Sequence, residues 1–323
     1  MTARLTRRAA LAAGAAALAI PALAQTFPTR PITLVIPFTP AGGSDLTARA
    51  LAKAAEPILR QPITIVNRPA AGGAAAMQEV ARAAPDGYTI VNSTAILCSI
   101  APHMRDVPYN AATDFTPLMT YGAFNTFVSV RADGPYRTLK DLMDFAKANP
   151  RVTTVGVSVI GASSHLGFAR MAQEQQAQVS FVPFGGGAPA VTALLGRHIT
   201  TAVVSGEVLP HVASGQVRLL ATLMGSRVPS LPDVPSIREL GYNWEMNSWL
   251  GIAGPRGMPQ PIVQRLQDAF LQAMGDADFK RVMEEIAVAE LRNDSAAATR
   301  ILNEDLRSFE ALLRELKLGR YAN

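Results

Sequence analysis

Short apolar runs alternate along this chain with longer stretches in which apolar residues return every three or four positions. Residues 32–38 (ITLVIPF) read as a strand buried on both faces. In the next segment Leu46, Ala50, Leu51, Ala54 and Ile58 fall at roughly helical spacing, which predicts a helix over 44–59 with one apolar stripe. Strands follow over 63–66 and 88–92, with a helix over 74–84 between them and turn chemistry at Pro85-Asp86-Gly87. The same grammar restarts after Leu139. Helices over 141–147, 163–175, 189–195 and 209–214 alternate with strands over 153–157, 179–183, 199–204 and 218–223. From Met258 onward the pattern is mainly helical, with a helix over 262–274 and an amphipathic stretch over 296–316. Strands joined through helices predict parallel sheets with right-handed crossovers, and two such series predict an α/β protein of two lobes.

The first 24 residues stand apart from this pattern. Arg4, Arg7 and Arg8 precede an uncharged apolar run, and Ala22-Leu23-Ala24 is a small-residue cleavage sequence, so residues 1–24 read as a secretory signal peptide. The mature chain is expected to start at Gln25 in the periplasm, and Thr6-Arg7-Arg8 followed by Leu11 has the form of a twin-arginine export signal. The apolar run is too short to span a bilayer, and no later stretch supplies ~20 apolar residues. Without the leader the charge falls to 27 basic against 25 acidic residues. The basic residues are scattered and aromatics make up 6% of the chain, which argues against a nucleic-acid surface. Cys98, the only cysteine, sits in apolar AILCSIAP and reads as a buried, inert thiol. His103, His165, His198 and His211 lack metal-site spacing, and neither GxxxxGK[ST] nor a GxGxxG after a strand is present, so no metal and no cofactor is expected.

The candidate chemistry lies at the predicted strand ends. The first strand runs through Thr39, Pro40 and Ala41 into Gly42, Gly43, Ser44 and Asp45, where a helix opens. Free N–H groups and the positive end of the helix dipole make such a turn an anion site, and glycine lets a ligand approach the backbone. Comparable small-residue loops recur at Ala71, Gly72 and Gly73; at Ser93 and Thr94; over Ser158, Gly161, Ala162, Ser163 and His165; at Phe184, Gly185 and Gly186; and at Ser205, Gly206 and Glu207. Together they would line a cleft with neutral donors suited to a carboxylate. Arg68, the one basic side chain in these loops, precedes Pro69 in a turn and is expected to point outward. Asp45 and Glu207 have two readings each: helix-dipole partner or surface charge, or pairing with an amino-bearing ligand. Valine at Gly43 or Gly73 is expected to cost affinity with little effect on the stability of the free protein. An α/β hydrolase or lyase acting on carboxylate derivatives is the enzymatic alternative; a hydrolytic triad could be drawn from Ser158, His165 and Asp45, but Gly156-Val157-Ser158-Val159-Ile160 fails the last position of GxSxG.

The segments RPITLVIPFTPAGGSDLTARALA, ITIVNRPAAGGAAAMQEVARAAPDGYTI, FVPFGGGAPAVTALLGRH, AVVSGEVLPHVASGQVRLLA, LPDVPSIRELGY and SWLGIAGPRGMPQPIVQRL occur in this order over nearly the whole mature chain. They resemble the periplasmic solute-binding proteins of tripartite tricarboxylate transporters, the TctC or Bug family. The resemblance implies a two-lobed type II periplasmic-binding-protein fold, a Venus flytrap that grips a small organic carboxylate between its lobes and delivers it to a membrane permease. Presentation of the liganded form to a sensory receptor is the variant of this function that the sequence leaves open. Where the family often has GxGSxxHL, this chain has Val159 and Ala162 in place of a glycine and a serine, while Gly161 and Ser163 remain candidate donors. The expected division is lobe one over 26–124 plus 248–323 and lobe two over 125–247, in a monomer that performs no chemistry.

Overall fold

The computed structural model describes residues 27–246 and 248–322, so the leader read over 1–24 and the start expected at Gln25 lie outside the described residues. In chain order the strands are β1 (Ile32–Ile36), β2 (Ile63–Asn67), β3 (Thr89–Thr94), β4 (Phe115–Phe124), β5 (Phe127–Arg131), β6 (Thr154–Val157), β7 (Ser180–Pro183), β8 (Thr201–Val204), β9 (Val217–Thr222), β10 (Trp249–Pro255) and β11 (Val288–Asn293). The helices are α1 (Gly43–Leu59), α2 (Ala74–Ala81), α3 (Ala101–Met104), α4 (Leu139–Ala148), α5 (Ser163–Glu174), α6 (Gly187–Leu195), α7 (Leu209–Ala213), α8 (Gln260–Ala273), α9 (Ala277–Glu285) and α10 (Ser295–Glu315).

Two sheets carry these elements, one in the order β11-β4-β10-β3-β1-β2 and the other β7-β6-β8-β5-β9. The expectation of parallel sheets is corrected to mixed ones. β1 is parallel to β2 and β3, and β6 to β7 and β8, as the βα grammar requires. However, β10 runs antiparallel between β3 and β4, β11 antiparallel to β4, and β5 antiparallel between β8 and β9. The sequence reading had no element for β4, β5, β10 or β11. β4 and β10 carry Pro117, Gly122, Gly251 and Gly254, residues that argue against a strand when read locally. These glycines are spacing devices: a Cβ on Gly251 would lie 2.6 Å from the Met119 carbonyl oxygen of the neighbouring strand.

Each sheet is covered on both faces, because alternate residues of a strand point to opposite sides. Ile32, Leu34 and Ile36 of β1 pack with Leu51 and Ala55 of α1, Leu266 and Phe270 of α8 and Phe279 of α9, while Val35 faces Met77 and Val80 of α2. In the second sheet Val155, Val157 and Val203 pack with Leu142 of α4 and Phe168 of α5, and Ala202 and Val204 with Val191 and Leu194 of α6. Cys98 is buried, and desolvation pushes its thiol up to about 12, in keeping with an inert role. The last helix touches both cores: Leu302 joins the α2 side of the first sheet, whereas Phe309, Leu312 and Leu313 join the core of the second.

The chain passes between the sheets at 124–127 and again before Trp249, and the two passages are tied together by the Phe124 N–H donating to the Ser248 carbonyl (3.1 Å). Beside them the Trp249 Nε1–H donates to Asp305 Oδ2 of α10 (2.7 Å). Burial pushes the Asp305 carboxyl up to about 6 against the effect of that bond, and Glu304 and Glu245 push the same way. A folded-state pKa above the ordinary 3.8 means that Asp305 favours folding at low pH and that this contribution is lost as pH rises through about 6. Asp305→Asn retains an acceptor for Trp249 without the buried charge. Its gain in unfolding free energy over the parent is expected to be small at pH 4, about 0.5 kcal/mol, and to approach about 3 kcal/mol at pH 7. Urea unfolding of both proteins at the two pH values checks this, and an equal difference at both would refute it.

Candidate functional site

β1 ends where Pro37 can donate no further hydrogen bond to a ladder, and the loop that follows turns through Ala41 in the left-handed region (φ 64°). Asp45 holds that turn. Its Oδ2 accepts from the Ala41 N–H (2.9 Å) and from Arg49 Nε (2.8 Å), and its Oδ1 accepts from Asn67 Nδ2 (2.7 Å). Burial pushes this carboxyl up, but the bonds from Arg49, Asn67 and Ala41 outweigh it and hold the pKa below the ordinary value. Asp45 therefore spends its charge inside the loop. Gly42 occupies the N-cap of α1 and has no side chain to cap with. The N–H groups of Asp45 and Leu46 turn back to the Gly42 carbonyl, and among the described residues no acceptor takes those of Gly43 and Ser44. The start of α1 is anchored from below by Thr47, whose Oγ1 lies 3.2 Å from the Tyr121 hydroxyl, which in turn donates to Asn92 Oδ1 (3.0 Å).

A cavity of about 490 Å³ opens over this turn, lined by Phe38, Thr39, Ala41, Gly42, Gly43, Ser44 and Leu46 and, from the second sheet, by Ser205, Gly206 and Glu207, with Phe124, Glu285 and Ile286 completing the wall. The two sides approach closely. A Cβ on Gly206 would collide with the Ile286 carbonyl, and one on Gly43 would come within 2.8 Å of the Phe124 ring. The Glu207 carboxylate lies across the first turn of α6, where a Cβ on Gly187 would be 2.6 Å from its Oε1. The helix N-terminus is a favourable place for that charge.

The remaining candidates lie outside this lining. Ala71, Gly72 and Gly73 all take positive φ in a short 3₁₀ turn, and Arg105 Nη2 donates to the Ala71 and Gly72 carbonyls (3.3 and 3.4 Å). Ser93 and Thr94 are buried: Ser93 faces a small pocket with Cys98 and Trp249, and Thr94 Oγ1 accepts from the Leu97 N–H. Ser158 stands half-buried at the end of β6, and Gly161 is packed against Met104. Ala162 caps α5 without a side-chain bond, and Ser163 Oγ is buried with no hydrogen-bond partner among the described residues. His165 Nδ1 accepts from the Gly161 N–H (3.2 Å), and its ring packs edge-on against Phe181 at 4.4 Å. Desolvation lowers its pKa to about 4, so the ring is neutral at neutral pH with its proton on Nε2. Phe184, Gly185 and Gly186 precede α6, and nothing lies within 4 Å of a Cβ placed on Gly185.

Five wall residues, Phe38, Leu46, Phe124, Glu285 and Ile286, were not among the sequence-predicted site residues, nor was Arg105. Phe124 and the 285–286 turn come from unforeseen strand ends, so no local motif could reveal them. Arg68 does point away, pairing with the exposed Glu79 at 3.4 Å.

Residues 47–318 match the family model TctC, described as the tripartite tricarboxylate transporter family receptor. The chain belongs to the TctC family. A Cupriavidus necator relative, the UPF0065 protein in the gbd 5' region, is 32% identical over 318 residues, 97% of each chain. Three solved structures share the two-lobed periplasmic-binding fold. A TctC solute-binding protein from Polaromonas is 27% identical with a TM-score of 0.80, covering 90% of this chain and 100% of that one. A Rhodopseudomonas palustris protein with adipate is 28% identical (TM-score 0.79; 91% and 99% covered). MatC from the same species, with bound malate, is 26% identical (TM-score 0.76; 89% and 100%). TctC proteins are binding proteins rather than enzymes, so the triad alternative falls.

The TctC glycine loops differ in what they tolerate, which corrects the expectation of equal behaviour. Gly73 sits at φ 90° with the Pro37 carbonyl 3.0 Å from a Cβ, whereas Gly43 is in helical geometry and meets only the edge of Phe124 and Ile286. Gly73→Val is expected to lower unfolding free energy by more than about 2 kcal/mol. Gly43→Val is expected to leave it within about 1 kcal/mol and to weaken ligand binding more than tenfold. Denaturant unfolding and calorimetry on both variants check the contrast.

Proposed function

We propose that this TctC-family chain captures a small organic carboxylate in the cleft between its lobes and hands it to the permease of a tripartite transporter. One observation carries the reading: the uncapped Gly43 and Ser44 N–H groups at the start of α1 border a cavity whose far wall is Ser205, Gly206 and Glu207 from the other sheet. A carboxylate seated there accepts charge-assisted bonds from neutral donors and is contacted by both lobes only when they are closed, so the ligand favours the closed form. The relatives solved with adipate and malate support the ligand class, and the family description supports the transporter partner.

The lobes divide at 26–124 plus 248–323 and 125–247. This division is supported by the passage of the chain from β4 to β5 and by the return at Ser248 and β10. Of the other candidate donors, Ser163 and His165 at the start of α5 join the site as the lobes close, with the unpartnered Ser163 hydroxyl supporting that role, while the Gly161 N–H is already given to His165 Nδ1. The protein works as a monomer in the periplasm, exported by a cleaved signal.

Thermal-shift screening of mono-, di- and tricarboxylates beside their amides and esters tests the ligand class. Acids are expected to raise the melting temperature and uncharged counterparts to leave it unchanged. Binding is expected to persist through neutral pH and to weaken as the ligand itself is protonated. Arg68→Ala should change affinity less than threefold, because that side chain is engaged with Glu79 outside the cleft. Equal stabilisation by uncharged analogues, or loss of binding in Arg68→Ala, would overturn the reading. N-terminal sequencing of the exported form is expected to start within a few residues of Gln25, and an intact leader on that form would refute the cleavage.

A further inference from the structure

Phe38, Phe124, Glu207 and Glu285 line the cavity, with Phe124 against the start of α1 and Glu207 on the far wall, and among the described residues no lysine, arginine or histidine lines it. The cations of the surrounding loops are engaged elsewhere. Arg49 donates to Asp45 and Asn67, Arg105 to the carbonyls of Ala71 and Gly72, and Arg281 to Glu285 from outside (2.9 Å). Two helix starts flank this space, but they are not equivalent. The first turn of α1 has N–H groups without acceptors, whereas the first turn of α6 is already covered by the carboxylate of Glu207, 2.6 Å from a Cβ on Gly187. A ligand with one carboxylate has a place for it at α1. A second carboxylate would meet Glu207, which has no cationic partner among the described residues, while Glu285 already shares its charge with Arg281, in a cleft that loses water as it closes. An ammonium group on that side would instead meet the Glu207 carboxylate, which favours a cation.

We infer that the cleft selects an amino-bearing monocarboxylate over a dicarboxylate, and that Glu207 determines this preference. The inference rests on the carboxylate reading above and distinguishes this chain from the relatives solved with adipate and malate. It assigns the two ends of the ligand: the carboxylate to the Gly43 and Ser44 N–H groups, the ammonium to the Glu207 side.

Calorimetry with two matched series tests it: butyrate, succinate and 4-aminobutyrate, then hexanoate, adipate and 6-aminohexanoate, with 6-aminohexanamide as the control lacking a carboxylate. In the series that fits the cleft, the amino acid is expected to bind the parent protein at least tenfold more tightly than the diacid. Glu207→Gln should lower the melting temperature of the free protein only slightly, through loss of the charge over the start of α6, and reduce that ratio at least fivefold. A diacid that binds as tightly as the amino acid, or a ratio unaffected by Glu207→Gln, overturns the inference while leaving carboxylate capture intact. Binding of 6-aminohexanamide equal to that of 6-aminohexanoate, or binding of none of the acids, overturns the carboxylate reading and the inference with it.

Discussion

Asp45 ties the turn between β1 and α1 to its own backbone and to β2, and the cleft depends on that knot. Its two oxygens are occupied by the Ala41 N–H, Arg49 and Asn67, so the carboxylate bonds backward into the loop rather than forward to the first turn of the helix. An aspartate or serine at the N-cap would satisfy an early helical N–H through its side chain. Here the N-cap is Gly42, and the N–H groups of Gly43 and Ser44 are left for another acceptor. Arg49 neutralises the buried charge and Asn67 passes the constraint to the neighbouring strand, so the donors are held in place before any ligand arrives. Removing Asp45 would unfasten three groups at once, which is why its charge matters although it does not line the cavity.

The same economy governs how the two sheets meet. β4 leads directly into β5 of the other sheet, the return enters β10, and the Phe124 to Ser248 bond joins the passages. α10 then reaches across, with Leu302 in one core and Phe309, Leu312 and Leu313 in the other. The two passages and the long helix are thus the connections between the lobes, the helix burying one apolar group in each core. The Ile286 backbone against Gly206 is the point where the first sheet's α9–β11 corner meets the second lobe's loop. Small residues at that contact, rather than charges, set how near the walls can come.

The βα elements were legible because each carries its own period. Apolar runs of five or so residues bounded by Gly and Pro gave β1, β2, β3, β6, β7 and β8, and amphipathic spacing gave α1, α5, α8 and α10. The sequence also showed where the first loop opens into a helix and that Arg68 faces away from it. β4, β5, β10 and β11 stayed hidden because their character comes from neighbours far along the chain. Gly251 and Pro117 look like turn residues until β10 is seen lying against β4, antiparallel, with both faces covered.

What the sequence determined by itself is therefore local: periodicity, turn chemistry and the supply of neutral donors at strand ends, each encoded within about twenty consecutive residues. Tertiary structure decided which loops share one cavity. It joined 39–44 to 205–207, brought Phe124, Glu285 and Ile286 into the wall, and turned Asp45 inward. It also laid Glu207 across the start of α6. Those outcomes depend on strand order and on close packing between segments as far apart in the chain as Gly43 and Ile286, and no window of sequence contains both partners of such a contact.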